Sequence, residues 1–415
     1  MKMKTKPTFL ALALFGALSV GTTHAAPMLH TLGDYSYAAN HAITNAYLEI
    51  DVQAFEDNIT NLRQTLGEET KICAVLKGDA YGHGIDLLMP SVIKLGVSCI
   101  AVTSNEEARV ARAHGYQGII NRVRIASGDE VESALAYDIT ELVGSLDHAK
   151  TLDNIAKKHG KVINFHLALN AGGMGRNGLD VSNKTGQKDA IAITKLSNLN
   201  MTGIMTHYAF EDEAFVRESL AQFNKQTDWL IKAAKLDRKK LTLHTANSFA
   251  TALVPESRLD MVRPGRLMYG DPVGGVELPS KRIMQFKSKV AAVHFYPKGT
   301  KIGYDGTYEL TRDSYLANLP LGFSDGYRRI FSNKGHVLIN GHRAPVVGKT
   351  SMNTTMVDVT DIMAKQPVKI NDEVVLFGKQ GDSEVTQAEI EELNGALLAD
   401  LYSVWGNSNP RLIKP

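Results

Sequence analysis

The sequence predicts a (β/α)8 barrel followed by a mostly β C-terminal domain, and three observations carry that prediction. Eight short apolar runs recur between residues 72 and 265. Helix-like segments separate most of them, the alternation expected of a parallel barrel. Beyond about residue 275 the pattern changes to short segments of alternating polarity with turn signals, which suit an antiparallel β domain. A doubly wound open sheet is the alternative for the first region.

The first 25 residues stand apart from that plan. Lys2, Lys4 and Lys6 make a positive start, and Phe9 to Val20 is apolar but short for a bilayer span. Thr23 and Ala25 are small or compact residues placed before a cleavage point. Residues 1–25 read as a secretory signal peptide, which implies export to the periplasm and no membrane attachment after cleavage, with a membrane anchor as the alternative. Residues 26–45 read as an irregular N-terminal arm. The barrel is assigned to residues 46–272 and the β domain to residues 273–415.

Barrel strands are expected at "ICAVL" (72), "SCIAVT" (98), "GIINRVRIA" (118), "ITELVG" (139), "VINFHLAL" (162), "NMTGIMT" (200), "LTLH" (241) and "DMVRPG" (260). The nearly continuous apolar run Ile72 to Leu76 is what a strand buried on both faces needs. Among the helices, Ser104 to Gly115 opens on a capping box, Ser104 with Glu107, and ends on a glycine stop. Glu213 to Lys235 places apolar residues at helical spacing. In the second region Asn340-Gly341 signals a hairpin, and Thr386 with Glu389 predicts another capping box.

The chain has 415 residues, 44% of them hydrophobic, with a formal net charge of +2. That length supports two sizeable cores, and the balanced charge without a long basic run argues against a nucleic-acid partner. The two cysteines, Cys73 and Cys99, lie on neighbouring predicted strands. A disulfide suits an exported protein, with two separate buried thiols as the alternative. Two cysteines do not make a metal site.

Catalytic groups of a barrel collect at the C-terminal ends of its strands. The first strand ends in Lys77, followed by Gly78, Tyr81, Gly82 and Gly84. An amine held there and partly stripped of water has a lowered pKa and is a candidate nucleophile for a carbonyl. The fifth strand ends in "NAGGMGRNG" with Arg176, the sixth in "THYA" with His207, the seventh in "HTANS" with His244 and Ser248, and the eighth in "RPGRLMYG" with Arg263. Ser248, Tyr81 and the backbone N–H groups near Gly265 would hold a phosphate. Arg263 would sit near a planar ring and His207 against it. Pyridoxal 5′-phosphate joined to Lys77 meets this set of needs.

The segments "AVLKGDAYGHG", "GMGRNG", "GIMTHYA", "HTANS", "MVRPGRLMYG", "GYDGTY" and "GKTSMNTTMVDV" resemble, in order, the successive motifs of the alanine racemase family, the fold-type III pyridoxal phosphate enzymes. The likeness is strongest to the periplasmic broad-spectrum amino acid racemases. It implies a homodimer that acts on free amino acids, with active sites shared between subunits. It makes Lys77 the Schiff-base lysine and the base on one face, and the partner subunit's Tyr304 the base on the other. Tyr81, Ser248, Gly265 and Arg266 would hold the phosphate, the last two through backbone N–H groups. Arg263 would face the pyridine nitrogen, His207 the ring, and Arg176 the ring phenolate oxygen and the substrate. The N–H of the partner's Met352 would help hold the substrate carboxylate. Two bases on opposite faces suit removal and return of an α-proton.

The chain also departs from the biosynthetic alanine racemases. The lysine that many of them carbamylate is absent, and Ala168 and Leu169 occupy its neighbourhood. Arg122, Arg124, Ala168, Asn170, Gly173 and Asn177 together resemble the signature of the exported broad-spectrum enzymes. Phe323 replaces a common tyrosine and Asn353 a common aspartate. The implied activity is racemisation with broad specificity, including lysine, arginine and alanine. An alanine-specific racemase and a decarboxylase of the same fold are the alternatives. Arg122 and Arg124 share a strand face and also suit structural ion pairs; Asn170, Asn177 and Asn353 also suit turns. Gly173 to Gly178 fits G-x-G-x-x-G, but the polar, turn-rich stretch after it speaks against a dinucleotide site. Tyr304 speaks against a non-catalytic carrier of the cofactor.

Overall fold

The computed structural model describes residues 44–274 and 279–415. The signal-peptide reading of residues 1–25, and the arm of residues 26–45 except for its last two, lie outside the described residues. The first strand is β1 (Ala46–Ile50). Eight more follow: β2 (Lys71–Val75), β3 (Cys99–Val102), β4 (Ile119–Arg122), β5 (Ile139–Val143), β6 (Ile163–Ala168), β7 (Leu199–Met205), β8 (Thr242–His244) and β9 (Met261–Val262). Strands β2 to β8 pair in chain order, all parallel, and β9 pairs with β2. The amide of Asp260 donates to Leu243 O at 3.1 Å and that of Arg263 to Ala246 O at 2.9 Å, which ties β9 to β8 and closes the barrel. Strand order never reverses, as an open doubly wound sheet would require.

Strands buried on both faces need apolar neighbours inside and out. Outside, Phe165 and Leu167 pack against helix residues such as Leu152, Phe223 and Leu230. Inside, Cys73, Val75, Cys99, Ala101 and Met261 form one cluster, with Tyr81 and Val123 packed on it. Cys73 lies directly opposite Cys99 in the parallel register, with Cα atoms 4.4 Å apart, and the two are joined as a disulfide.

The barrel boundary at residue 46 needs correction. Strand β1 belongs to the second sheet, antiparallel to β10 (Met284–Lys289) and parallel to the strand Arg411–Ile413. "AYLEI" is apolar enough for a barrel strand, and its partners are too remote in sequence to leave a local signal. Helix Val52–Leu66, capped by the Asp51 carboxylate on the Ala54 N–H, then leads into β2.

Local signals fare well elsewhere. The Ser104–Glu107 capping box is complete. Ile339 pairs with His342 across Asn340 (φ 53°) and Gly341 (φ 76°), a two-residue turn with both centres left-handed. The predicted box at Thr386 is only half formed. Its hydroxyl accepts from the Glu389 N–H at 3.2 Å, but the Glu389 carboxylate is drawn away to Arg343.

Candidate active site

The turn after β2 sets the site. Gly78, Asp79, Ala80, Tyr81 and Gly82 all have positive φ, from 53° to 77°, and so form a left-handed turn. Each non-glycine there costs about 1–2 kcal/mol, so surrounding contacts must hold it. Glu107, released from no duty by its cap, supplies one: Oε1 accepts from the N–H of Gly78 at 2.7 Å and of Asp79 at 3.1 Å, while Oε2 accepts from Thr103 and Ser104. The turn carries Lys77 and Tyr81 to the mouth. Desolvation, then the cations Arg176 and Arg263, lower the Lys77 pKa below the ordinary lysine range, against a smaller pull upward from Glu107. Burial raises the Tyr81 phenol to about 12, so it stays a neutral donor.

At one end of the cavity, the Ser248 hydroxyl accepts from the N–H groups of Gly265 at 3.0 Å and Leu267 at 3.4 Å. A Cβ on residue 265 would lie 2.7 Å from the Tyr81 hydroxyl, so glycine is what lets that phenol approach the backbone. The Arg266 side chain pairs with Glu211 at 2.9 Å.

Deeper in, Arg263 is buried and donates to Thr206 O at 2.8 Å, Thr245 O at 3.1 Å and His244 Nδ1 at 2.6 Å. Burial lowers it to about 10, which leaves it a cation at neutral pH. Arginine can only donate, so His244 Nδ1 must accept. Its Nε2–H then donates to His166 Nδ1 at 2.8 Å. Burial, and then Arg263, hold His166 and His207 down at about 3 and His244 well below its usual value, so this chain is neutral.

A cavity of about 290 Å³ brings together Lys77, Tyr81, Ala168, Asn170, Arg176, Asn177, His207, Ser248, Arg263, Gly265 and Arg266. Gly173 (φ 69°) lies in the adjoining loop, where Asn170 Oδ1 accepts from the Gly175 N–H at 2.9 Å. Tyr304 and Met352 are not in the cavity of their own chain; both are exposed on the β domain, at 64% and 57%.

Arg122 and Arg124 do not line the cavity. Arg124 pairs with Glu130. Arg122, with no exposed side-chain surface, holds Glu141 at 2.8 Å and also donates to Thr103 O and Asn105 Oδ1. Burial pushes the Glu141 carboxyl up while Arg122 pulls it down. Replacing Arg122 with methionine strands that carboxylate, and the expected cost is about 3–5 kcal/mol of unfolding free energy. Urea denaturation checks the loss; relative rates on different amino acids should stay unchanged.

Sequence reasoning missed Glu211, Asn247, Leu397 and Ala399 as lining residues and saw Glu107 only as a cap. Leu397 and Ala399 come from the last tenth of the chain, in a stretch without a motif.

The donor set fits pyridoxal phosphate. The cavity's basic groups Lys77, Arg176, Arg263 and Arg266 outnumber its one carboxylate, Glu211, which Arg266 already holds. Hydroxyls and backbone N–H groups cluster where an anion would lie, and a donor-only group sits deeper.

Comparison with known proteins agrees with this geometry. The family model for the alanine racemase N-terminal domain matches residues 50–272, and that for the C-terminal domain matches residues 283–413. A broad specificity amino-acid racemase of Pseudomonas taetrolens is 58% identical over 407 residues, covering 98% of each chain. A lysine racemase of Proteus mirabilis is 50% identical over 371 residues, covering 89% of this chain and 90% of its own. The alanine racemase of Bartonella henselae, solved with covalently bound pyridoxal phosphate, superposes with a TM-score of 0.79 at 26% identity, covering 89% of this chain and all of that one (100%).

Proposed function

The chain belongs to the alanine racemase family, and from that premise we propose that it racemises free amino acids of several side-chain types with pyridoxal 5′-phosphate held on Lys77. The observation that carries the reading is Lys77 itself: a largely desolvated amine of lowered pKa, flanked by two arginines, in a cavity rich in donors. Bound there, the cofactor supplies a conjugated electron acceptor that acidifies the α-proton of an amino acid.

The chain's own groups do the rest. The Tyr81 and Ser248 hydroxyls, with the N–H groups of Gly265 and Arg266, would bind the phosphate, that of Gly265 by exchanging the Ser248 oxygen for a phosphate oxygen. Arg263 would face the pyridine nitrogen as a donor that keeps its proton, which would limit electron withdrawal and with it transamination. Neutral His207 would lie against the ring. Arg176 would orient the ring oxygen and the substrate. Lys77 moves a proton at one face of the α-carbon. Tyr304 of the partner subunit moves it at the other, and the partner's Met352 N–H helps hold the carboxylate. This division requires a homodimer, and it gives the exposed Tyr304 and Met352 a role that their own cavity does not.

Broad specificity is supported by the names of the most similar relatives and by the small Ala168 in the cavity wall. Export of the chain to the periplasm is supported by the signal-like residues 1–25 and by the disulfide, a bond that persists in oxidising compartments.

The test is incubation of the purified protein with single L-amino acids, followed by chiral chromatography. D-lysine, D-arginine and D-alanine are all expected. D-alanine alone would leave a narrow alanine racemase, and release of carbon dioxide instead would point to a decarboxylase.

A further inference from the structure

The left-handed turn after β2 is fastened on its far side by the end of the chain. Arg411, only 7% exposed, donates from Nε to Gly82 O at 3.0 Å and from Nη2 to Gly406 O at 2.8 Å, and it pairs with the Asp79 carboxylate. The other oxygen of Asp79 accepts from the Ile85 N–H at 2.8 Å. Helix Leu398–Ser408 meets the turn backbone to backbone: a Cβ on Gly82 would fall 2.0 Å from Tyr402 O, and one on Gly406 would fall 2.2 Å from Gly82 O. Glu107 grips the near side through the N–H groups of Gly78 and Asp79.

We infer that Arg411, acting on Asp79 and Gly82, is a positioning residue that keeps Lys77 and Tyr81 in working geometry; the inference rests on the reading of Lys77 as the cofactor lysine. Three consecutive non-glycine residues in the left-handed region relax to other conformations unless their surroundings forbid it. Lys77 precedes the strained residues and Tyr81 is one of them, so a relaxing turn moves both. The barrel holds the turn from one side and the β domain from the other. The β domain thereby sets the amine of its own subunit, a duty separate from presenting Tyr304.

The test uses the holoenzyme and the variants Arg411→Lys, Asp79→Asn and their combination. Borohydride reduction and peptide mapping first establish that the cofactor label sits on Lys77. Each single variant is expected to lose kcat about 10- to 100-fold through misplacement, with KM changed less than about twofold. The visible absorbance of the bound cofactor should shift its pH midpoint, because water reaches an amine now shielded beside Arg176, Arg263, Glu107 and His207. The double variant should be no worse than the poorer single one, because the Asp79 lesion breaks only the Arg411 pair that the Arg411 lesion already breaks. Native kcat in both folded single variants, or losses that add in the double variant, would overturn the inference. A label absent from Lys77 would overturn the site reading beneath it. Asp79→Asn keeps the acceptor for Ile85 and is nearly isosteric, so the test survives if Arg411→Lys folds poorly.

Discussion

Replacing Lys77 with alanine is expected to lower racemisation of every substrate by at least about 10⁴-fold, since the proposed function makes it both the covalent anchor and one proton-transfer group. The protein should stay folded, because the side chain points into a cavity and not into a packed core. Borohydride treatment should then label nothing. The electrostatics add a signed prediction. Burial and the neighbouring arginines favour neutral Lys77, so its pKa in the folded protein lies below that of an ordinary lysine. Cofactor uptake by stripped protein requires the neutral amine. Its half-maximal pH should therefore lie below that of free lysine, and Arg176→Met should raise it by removing the larger of the two cationic causes. The same shift bears on stability. Between the folded and ordinary values the unfolded chain binds more protons at this group, so its contribution to stability rises with pH across that window. Uptake followed by visible absorbance against pH checks the midpoint. A midpoint at or above that of free lysine, or one unmoved by Arg176→Met, would refute the account.

The sequence made the barrel legible because each strand is a short apolar run between polar helices, a pattern that local composition dictates. Lys77, Arg176, His207, Ser248 and Arg263 were legible for a related reason. Strand ends in a parallel barrel face one mouth, so their positions along the chain imply their convergence. What escaped depends on contacts between remote segments. Strand β1 finds its partners near residues 284 and 411. Arg411 reaches Asp79 across 332 positions, and Leu397 and Ala399 join the cavity wall from the same end of the chain. One local rule met a stronger competitor: Glu389 left its expected cap for Arg343. For Arg122 the sequence left an ion pair open beside a bearing on specificity, and the structure supplies that pair with Glu141. Which carboxylate each arginine takes depends on tertiary structure, and no spacing rule carries that information.

Tyr304→Phe should cost about 10²–10⁴-fold in racemisation, the usual worth of one positioned acid–base group. The substitution removes only a hydroxyl from an exposed ring, so folding should be unaffected. Its signature is directional. With Lys77 intact, one enantiomer should still exchange its α-proton with deuterated water, yet return with its configuration unchanged. The other enantiomer should neither exchange nor invert. Proton NMR of each enantiomer in deuterated buffer reads both outcomes. The location of the base gives a second, independent test. If Tyr304 serves the partner's Lys77, a mixed dimer of Lys77→Ala and Tyr304→Phe chains carries both lesions in one site and none in the other. Random pairing of the two inactive proteins should then restore about a quarter of native activity, since half the dimers are mixed and each has one of two sites intact. If Tyr304 acted within its own chain, every site in the mixture would hold one lesion, and activity would stay at the level of the single variants.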